Sequence, residues 1–238
     1  MRTSLLSTDN LIAHYGDFQA LFGINFDIQE SEKIAIIGAN GSGKSTFLKS
    51  ITGLLKNNHE SIKYNGNPIG KSNPDVIAKL GISLVPEGRQ LFQSLSVEEN
   101  LMMGGLSMRT GHWNLERIYE LFPILKERSN QNSTELSGGQ QQMVAIGRAL
   151  MSNPSILLCD ELSLGLAPIV IKDIYKILPK ICDEGVTVVI VEQDIKQAIN
   201  FSDRVYCFQE GNISLQGDSE KLTQAEIKQA YFGIEEGV

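Results

Sequence analysis

Short apolar runs recur along the chain and alternate with segments whose apolar residues repeat every three or four positions. The runs at 33–37, 156–159 and 186–191 are almost entirely apolar, as expected of strands buried on both faces of a sheet. The helical repeat that follows the first run is formed by Phe47, Leu48, Ile51, Leu54 and Leu55. This alternation of strand and helix predicts an α/β fold with a mixed or parallel core sheet.

Segments of alternating apolar and polar residues flank this core. Residues 11–15 and 24–28 precede the first buried run, and a third short run ends at the turn signal Asn65-Gly66. Together they predict an antiparallel sheet beside the main one. Near the end of the chain, residues 205–215 predict a hairpin and residues 219–231 a helix.

A long stretch of helical character separates the first buried run from the second. It extends over residues 94–152, with polar loops at 107–114 and 128–134. We interpret it as a helical subdomain inserted into the α/β core. The predicted organisation is one domain, with the core and the antiparallel sheet formed by about residues 1–93 and 153–238.

Composition and charge narrow the functional classes. The net charge of -7 argues against a nucleic-acid-binding surface, which needs clustered lysine and arginine. Cys159, Cys182 and Cys207 show no CxxC spacing and predict free, buried thiols in a reducing cytoplasm. No apolar run approaches the ~18 residues of a membrane-spanning helix, so any attachment to a membrane is expected to come through a partner.

A glycine-rich loop joins the first buried run to the predicted helix. Its residues, together with the one that follows, are Gly38, Ala39, Asn40, Gly41, Ser42, Gly43, Lys44, Ser45 and Thr46. The first eight fit G-x-x-x-x-G-K-[ST], the pattern whose backbone N–H groups surround a phosphate. Lys44 would reach the β- and γ-phosphates of a nucleotide, and Ser45 would ligate Mg²⁺. A glycine-rich turn that binds nothing is the alternative, and the strand-loop-helix context disfavours it.

Two carboxylates, Asp160 and Glu161, follow the second buried run. Ligands of open α/β sheets bind at the carboxyl ends of the strands. Asp160 suits the Mg²⁺ shell, and Glu161 suits a general base that activates water. Acidic residues also end strands without any catalytic role, so this pair becomes informative only beside the phosphate loop.

A third motif, LSGGQ, contains Ser137, Gly138, Gly139 and Gln140, and its last residue lies 20 positions before Asp160. In isolation it would be only a serine-capped helix start. At this spacing it resembles the signature motif of ABC ATPases, and the resemblance covers almost the whole chain. It implies a P-loop ABC ATPase cassette that uses ATP and Mg²⁺.

The resemblance also implies roles for other residues. In that family each ATP lies between the phosphate loop of one cassette and the signature motif of a second, so hydrolysis would require a homo- or heterodimer. Tyr15 matches the aromatic residue that stacks on adenine, against the alternative of an ordinary strand tyrosine. The segment 163–168 matches a loop that crosses the dimer interface. The segment from Glu87 to Phe92 matches the loop that contacts transmembrane permease subunits.

Three positions depart from the general family pattern. Glu87 stands where most members have a Mg²⁺-contacting glutamine, and it could still approach the metal. Gln193 stands where most members have a histidine. An amide can donate hydrogen bonds, but it cannot become cationic or transfer a proton. Leu162 replaces a usual proline. Catalysis is therefore expected to depend on Glu161, with Gln193 in a supporting role.

Five short segments narrow the resemblance further: VPEGR, SVEENLMMGG, AIGRALMSNP, SLGLAP and VEQ. They are similar to the smaller ATPase of the high-affinity branched-chain amino-acid importer and to its urea and amide relatives. This implies a cytoplasmic subunit on the inner face of the cell membrane, and an extracytoplasmic solute-binding protein that acts with it indirectly. The sequence does not identify the transported solute, because an ATPase subunit of this kind does not contact the solute.

Other classes of ATPase fit the sequence less well. ABC-type proteins of DNA repair or translation carry a long coiled-coil insertion or two cassettes, whereas here 92 residues separate Lys44 from Ser137 and one cassette is present. An unrelated kinase or GTPase would leave LSGGQ unexplained. The sequence also has no guanine-reading Asn-Lys-x-Asp.

Overall fold

The fold was taken from a computed structural model, which describes residues 4–232. Its strands, in chain order, are β1 (Leu6–Tyr15), β2 (Phe18–Ile28), β3 (Lys33–Ile37), β4 (Ile62–Tyr64), β5 (Asn67–Pro68), β6 (Ile82–Val85), β7 (Ile156–Asp160), β8 (Thr187–Glu192), β9 (Arg204–Gln209) and β10 (Asn212–Asp218). Its α-helices are α1 (Lys44–Ile51), α2 (Pro74–Leu80), α3 (Val97–Gly104), α4 (Leu115–Leu121), α5 (Pro123–Glu127), α6 (Gly138–Leu150), α7 (Pro168–Asp183), α8 (Ile195–Phe201) and α9 (Gln224–Phe232).

The core sheet has six strands in the order β10-β9-β3-β8-β7-β6. The neighbours from β9 to β6 pair in parallel, and β10 pairs antiparallel with β9 at one edge. The predicted α/β fold with a mixed core sheet is therefore confirmed. Every residue of β7 and β8 is buried, which explains why their sequences are apolar without alternation.

A second, antiparallel sheet has the order β2-β1-β4-β5. The predicted segments 11–15 and 24–28 are the central parts of a longer hairpin, in which Tyr15 pairs with Phe18 at the turn. Asn65 and Gly66 form the predicted turn, where Tyr64 pairs with Asn67. The antiparallel sheet was thus predicted correctly, although β1 and β2 are longer than expected.

Side chains of the core sheet alternate between two hydrophobic clusters. Ile34 and Ile36 of β3 pack with the antiparallel sheet and α1, whereas Ala35 and Ile37 pack with the helices on the opposite face. Helices α3 to α6 lie in sequence between β6 and β7, as expected for an inserted helical segment. The division at residues 93 and 153 stays a prediction.

Two elements differ from the expectation. Helix α1 ends at Ile51, so the prediction that Leu54 and Leu55 share its apolar face is wrong. Gly53 adopts a left-handed φ of +71° just after the helix, and Leu54 is 61% exposed. Strand β6 was not predicted, because its Ser83 interrupts an apolar run of only four residues.

The two elements predicted near the end of the chain are both present. Strands β9 and β10 form the predicted hairpin, and α9 covers the second half of the predicted helix at 219–231. All three cysteines are free and buried, as expected. None of the helices between residues 4 and 232 has the length and apolarity needed to cross a bilayer.

Candidate functional site

The phosphate loop leaves the carboxyl end of β3 and enters α1 at Lys44. Two of its glycines are required by close approach of the backbone. A Cβ atom on Gly38 would lie 2.3 Å from the carbonyl oxygen of Phe208, and one on Gly43 would lie 2.8 Å from Leu21 Cδ2. Gly43 also has a left-handed φ of +105°, which favours glycine. The loop can therefore turn its N–H groups inward only with glycine at these positions.

Lys44 is held inside this loop. Its Nζ donates hydrogen bonds to the carbonyl oxygens of Gly38, at 2.6 Å, and Ala39, at 3.0 Å. The side chain is almost completely buried, and burial lowers the pKa of Lys44, while the nearby carboxylates of Glu161 and Asp160 oppose this shift. The ammonium group thus places a positive charge at the centre of the loop, with the carboxylates of Glu161 and Asp160 nearby.

Asp160 ends β7 beside the phosphate loop. Burial is the main reason that its pKa rises to about 6, and the Ser45 hydroxyl opposes this rise. Its Oδ1 atom is buried and has no hydrogen-bond partner among residues 4–232. The Ser42 hydroxyl inside the loop is unpartnered in the same way. Buried oxygen atoms without partners are unfavourable unless a ligand satisfies them, and oxygen is the ligand atom that Mg²⁺ prefers. This donor set therefore fits a divalent cation.

Glu161 and Gln193 are brought together by the pairing of β7 with β8. Gln193 follows β8, and its Nε2 donates a hydrogen bond of 2.9 Å to Oε1 of Glu161. Glu161 adopts a left-handed φ of +49°, uncommon for a residue with a side chain. Backbone strain of this kind clusters at functional sites. The arrangement orients the Glu161 carboxylate through its neighbour's amide.

A cavity of about 760 Å³ lies beside the phosphate loop and Glu161. The predicted site residues along its wall are Tyr15, Asn40, Gly41, Gly43, Lys44, Ser45, Thr46, Glu87 and Glu161. The sequence did not indicate that Phe18 and Phe22 also line it. Both aromatic side chains are at least half exposed, Tyr15 is 44% exposed, and the hairpin presents all three beside the phosphate loop. A flat apolar group could stack at this end of the cavity.

The loop that contains Glu87 is fixed to the helical segment. Arg148 on α6 donates hydrogen bonds to the carbonyl oxygens of Gln90, at 2.9 Å, and Arg89, at 3.0 Å. The Arg89 guanidinium in turn contacts the carbonyl oxygen of Leu164 at 3.5 Å. The loop therefore joins the cavity to α6 and to the turn that follows Glu161. Its dependence on Arg148 was not anticipated from the sequence.

Asn100 fixes the end of this loop. It is fully buried. Its side-chain N–H₂ group donates to the carbonyl oxygens of Phe92, Leu95 and Ser96 at 2.9–3.1 Å, and its side-chain oxygen accepts from the Phe92 N–H at 2.9 Å.

Replacing Asn100 with alanine should lower the free energy of unfolding by about 2–4 kcal/mol, because several buried groups lose their partner. Urea denaturation measures this. Asn67→Ala, at an exposed turn, is the matched control and should change it by less than about 0.5 kcal/mol; equal effects would contradict this role of Asn100.

The signature residues lie at the start of α6, away from this cavity. Ser137 accepts a hydrogen bond from the Gln140 N–H at 3.3 Å, and the Gln140 side chain accepts one from the Ser137 N–H at 3.0 Å. This reciprocal cap leaves Ser137 exposed, while Gly139 is buried against Val170. None of the described residues lining the cavity comes from 137–140. The structure thus brings together the phosphate loop, Asp160 and Glu161, but not the signature motif.

Comparison with known proteins supports the same class. Residues 21–163 match the protein family described as ABC transporter. The chain is 43% identical, over 96% of its length and 100% of the relative's, to the high-affinity branched-chain amino acid transport ATP-binding protein BraG of Pseudomonas aeruginosa.

Solved structures agree with this match. The fold resembles a nucleotide-free ATP-binding cassette from an ABC transporter, with a TM-score of 0.80 and 30% identity over 95% of this chain and 94% of that one. It also resembles a dimeric post-hydrolysis cassette bound to ADP and Pi, with a TM-score of 0.80 and 28% identity over 91% of this chain and 100% of that one.

These matches extend over nearly the whole chain, and they do not favour a role in DNA repair or translation. The phosphate loop and its carboxylates therefore lie in a cassette of known type, whose members bind nucleotide. The chain belongs to the ABC transporter family and is an ATPase closely related to the ATP-binding subunits of branched-chain amino acid importers.

Proposed function

We propose that this chain binds Mg-ATP in the cavity beside the phosphate loop, hydrolyses it as part of a dimer of ABC cassettes, and thereby drives import of branched-chain amino acids or similar small polar solutes. The observation that supports this most strongly is that Lys44 and Glu161 line one cavity, while Gln193 is hydrogen-bonded to Glu161 and the Asp160 carboxylate lies close enough to Lys44 to affect its pKa. No single motif in the sequence supplies that arrangement.

The phosphate loop grips the triphosphate. Backbone N–H groups of the loop and the start of α1 surround the phosphates, and Lys44 exchanges its bonds to loop carbonyls for bonds to phosphate oxygens. At the other end of the cavity Tyr15 stacks on the adenine, and the neighbouring Phe18 and Phe22 extend the apolar wall. The ligand is thus held by charge at one end and by aromatic contact at the other.

Ser45, Asp160 and Glu87 are the residues that would hold Mg²⁺. When bound, the ion neutralises charge that develops on the phosphate oxygens. Asp160 supplies an unpartnered buried oxygen for it, and Glu87 lines the cavity together with Ser45. A carboxylate at Glu87 adds negative charge near the phosphates, where most relatives would have a neutral amide.

Glu161 is the general base for the attacking water. Its carboxylate accepts the water's proton as the oxygen attacks the γ-phosphate. Gln193 holds that carboxylate through the 2.9 Å bond, but an amide cannot take up the proton itself. Gln193 therefore orients the base and contributes no proton transfer.

The second cassette completes the site. Ser137 is exposed at the tip of α6, and the N–H groups of Gly138 and Gly139 lie in the first turn of the same helix. A helix N-terminus favours an anion, so this tip suits the γ-phosphate of ATP bound by the facing protomer, which Gln140 would also approach. Similarity to a dimeric cassette supports this arrangement.

The remaining partners follow from the family. The loop from Glu87 to Phe92 contacts the transmembrane permease, which places the subunit at the cytoplasmic face of the cell membrane. An extracytoplasmic solute-binding protein delivers the solute to that permease. The similarity to a branched-chain amino acid transport protein is the support for this class of solute.

Replacing Gln193 with alanine should reduce kcat by about tenfold and leave the affinity for Mg-ATP unchanged. The Glu161 carboxylate would lose its orienting donor but keep its proton-accepting oxygens. Steady-state ATPase assays measure the change. Gln197→Ala, at a half-buried position in the first turn of α8 that does not line the cavity, provides the control. A wild-type rate for Gln193→Ala would show that the amide does not support catalysis.

The transport function is tested by purifying the chain from membranes with its permease and measuring solute uptake in proteoliposomes. Uptake of labelled leucine should require ATP on the side of this subunit and stop with Glu161→Gln. Uptake that continues with Glu161→Gln, or a chain that purifies without any permease, would contradict the proposed function.

A further inference from the structure

Glu192 is a buried carboxylate to which none of the roles described above is assigned. It is the last residue of β8, next to Gln193, and only 1% of its surface is exposed. Lone buried carboxylates are costly unless they are hydrogen-bonded. The contacts of the Glu192 carboxylate therefore indicate its role.

Three donors surround the Glu192 carboxylate. Oε2 accepts from the Ser163 hydroxyl at 2.7 Å, and Oε1 accepts from the Ser163 N–H at 3.3 Å and from the Tyr175 hydroxyl at 2.9 Å. Burial raises the pKa of Glu192, and the hydrogen bonds from Ser163 and Tyr175 oppose that rise. Both oxygens are thus occupied by donors from two other segments of the chain.

Ser163 lies two residues after Glu161, in the turn between β7 and α7. The Glu161 N–H bonds the carbonyl oxygen of Val191, so the turn is fixed to β8 at one end by backbone and at Ser163 by the Glu192 side chain. Leu162 between them is buried. The left-handed φ at Glu161 therefore lies between two attachments to the same strand end.

We propose that Glu192 is a positioning residue for ATP hydrolysis: by holding Ser163 it keeps the turn that carries Glu161 in the orientation in which Gln193 can bond the Glu161 carboxylate. Tyr175 on α7 holds the opposite side of the Glu192 carboxylate and so fixes its direction. This inference rests on the proposed role of Glu161 as general base. The end of β8 thus contributes to the position of Glu161 in two ways. Gln193 bonds the Glu161 carboxylate directly, and Glu192 acts through the turn that contains Ser163.

A double-mutant cycle on the full-length chain tests this coupling. Ser163→Ala removes the hydroxyl donor, and Glu192→Gln keeps the side-chain shape but replaces one acceptor oxygen with an N–H₂ group. Each single variant should lower kcat by about 10- to 100-fold, since small misplacements of a catalytic group have effects of this size. KM and the stoichiometry of bound Mg-ATP should stay within about twofold of wild type. Because both act through one contact, the double variant should be no slower than the slower single variant.

Two further variants separate positioning from simple stability. Ser163→Thr keeps the hydroxyl and should retain most of the wild-type kcat. Thr187→Val, at the other end of β8, removes a buried hydroxyl that accepts from the Ser31 N–H at 2.8 Å. It should lower the melting temperature without lowering kcat per bound nucleotide.

The outcomes are distinguishable from failure of the proposed function. A wild-type kcat in Glu192→Gln, multiplicative losses in the double variant, or an equal loss in Thr187→Val would each overturn the positioning role while leaving Glu161 as the base. If Glu161→Gln hydrolysed ATP at the wild-type rate in the same assay, the proposed function would fail first, and this inference with it.

Discussion

Replacing Lys44 with alanine is expected to weaken Mg-ATP binding by on the order of 100-fold or more, because it removes charge-assisted bonds to two phosphates. The structure already holds this ammonium group at the centre of the phosphate loop, 2.6 Å from the carbonyl oxygen of Gly38. No other cation among the described residues lines the cavity. Isothermal titration calorimetry with Mg-ATP measures the change.

Lys56→Ala provides the matched control for Lys44. Lys56 also donates to a backbone carbonyl oxygen, that of Ser72 at 2.9 Å, but it lies outside the cavity and is exposed. Its loss should leave the dissociation constant unchanged. An unaltered affinity in Lys44→Ala would contradict the assignment of the phosphate loop.

Replacing Glu161 with glutamine should lower kcat by about 10²- to 10⁴-fold, the range expected for the loss of a general base. The amide has nearly the same shape and should leave Mg-ATP binding intact, but it cannot accept the proton of the attacking water. Single-turnover assays with labelled ATP separate this chemical step from binding.

Glu60→Gln, an exposed glutamate on the antiparallel-sheet side of the chain, serves as the control for Glu161 and should hydrolyse ATP at the wild-type rate. Steady turnover by Glu161→Gln would remove Glu161 as the base. A parallel loss of Mg-ATP affinity would instead show that Glu161 acts in binding.

The sequence predicted those parts of the fold that depend on local pattern. Strands such as β8 are buried on both faces, so their sequences are continuous short apolar runs that predict a core strand directly. The phosphate loop was recognisable because the position of each glycine follows from backbone geometry that any phosphate-binding loop needs.

Other features depend on contacts between distant segments, and they were missed for that reason. Ser83 made β6 look too polar for a core strand, yet β6 gains its place by pairing with β7 at the sheet edge. Helix α1 ends early because Gly53 turns the chain, although the apolar repeat continues to Leu55.

The candidate site likewise contains some residues that the sequence predicted and others that only tertiary contacts bring together. Asp160 and Glu161 were visible as a pair after a buried run, whereas Phe18 and Phe22 are apolar residues of a strand that only the hairpin brings to the cavity. Likewise, Glu192 gains significance only when β8 places it against Ser163. The sequence shows which chemical groups are present, but the tertiary contacts of those groups decide which of them act together.

The position of the signature motif is the reason that the proposed function requires a second protomer. Ser137 and the phosphate loop belong to the same chain but do not share a cavity. If both bind the same nucleotide, they must come from different protomers. The account therefore depends on ATP acting as the contact between two cassettes.

Sedimentation velocity of Glu161→Gln, with and without Mg-ATP, tests this dependence most directly. The account predicts a dimer that forms when Mg-ATP is added and that is lost both in the Glu161→Gln/Lys44→Ala double variant and when Ser137 is replaced by glutamate, which would repel the γ-phosphate. A protein that binds Mg-ATP yet remains monomeric at every concentration, or a dimer that is indifferent to the charge at Ser137, would contradict it.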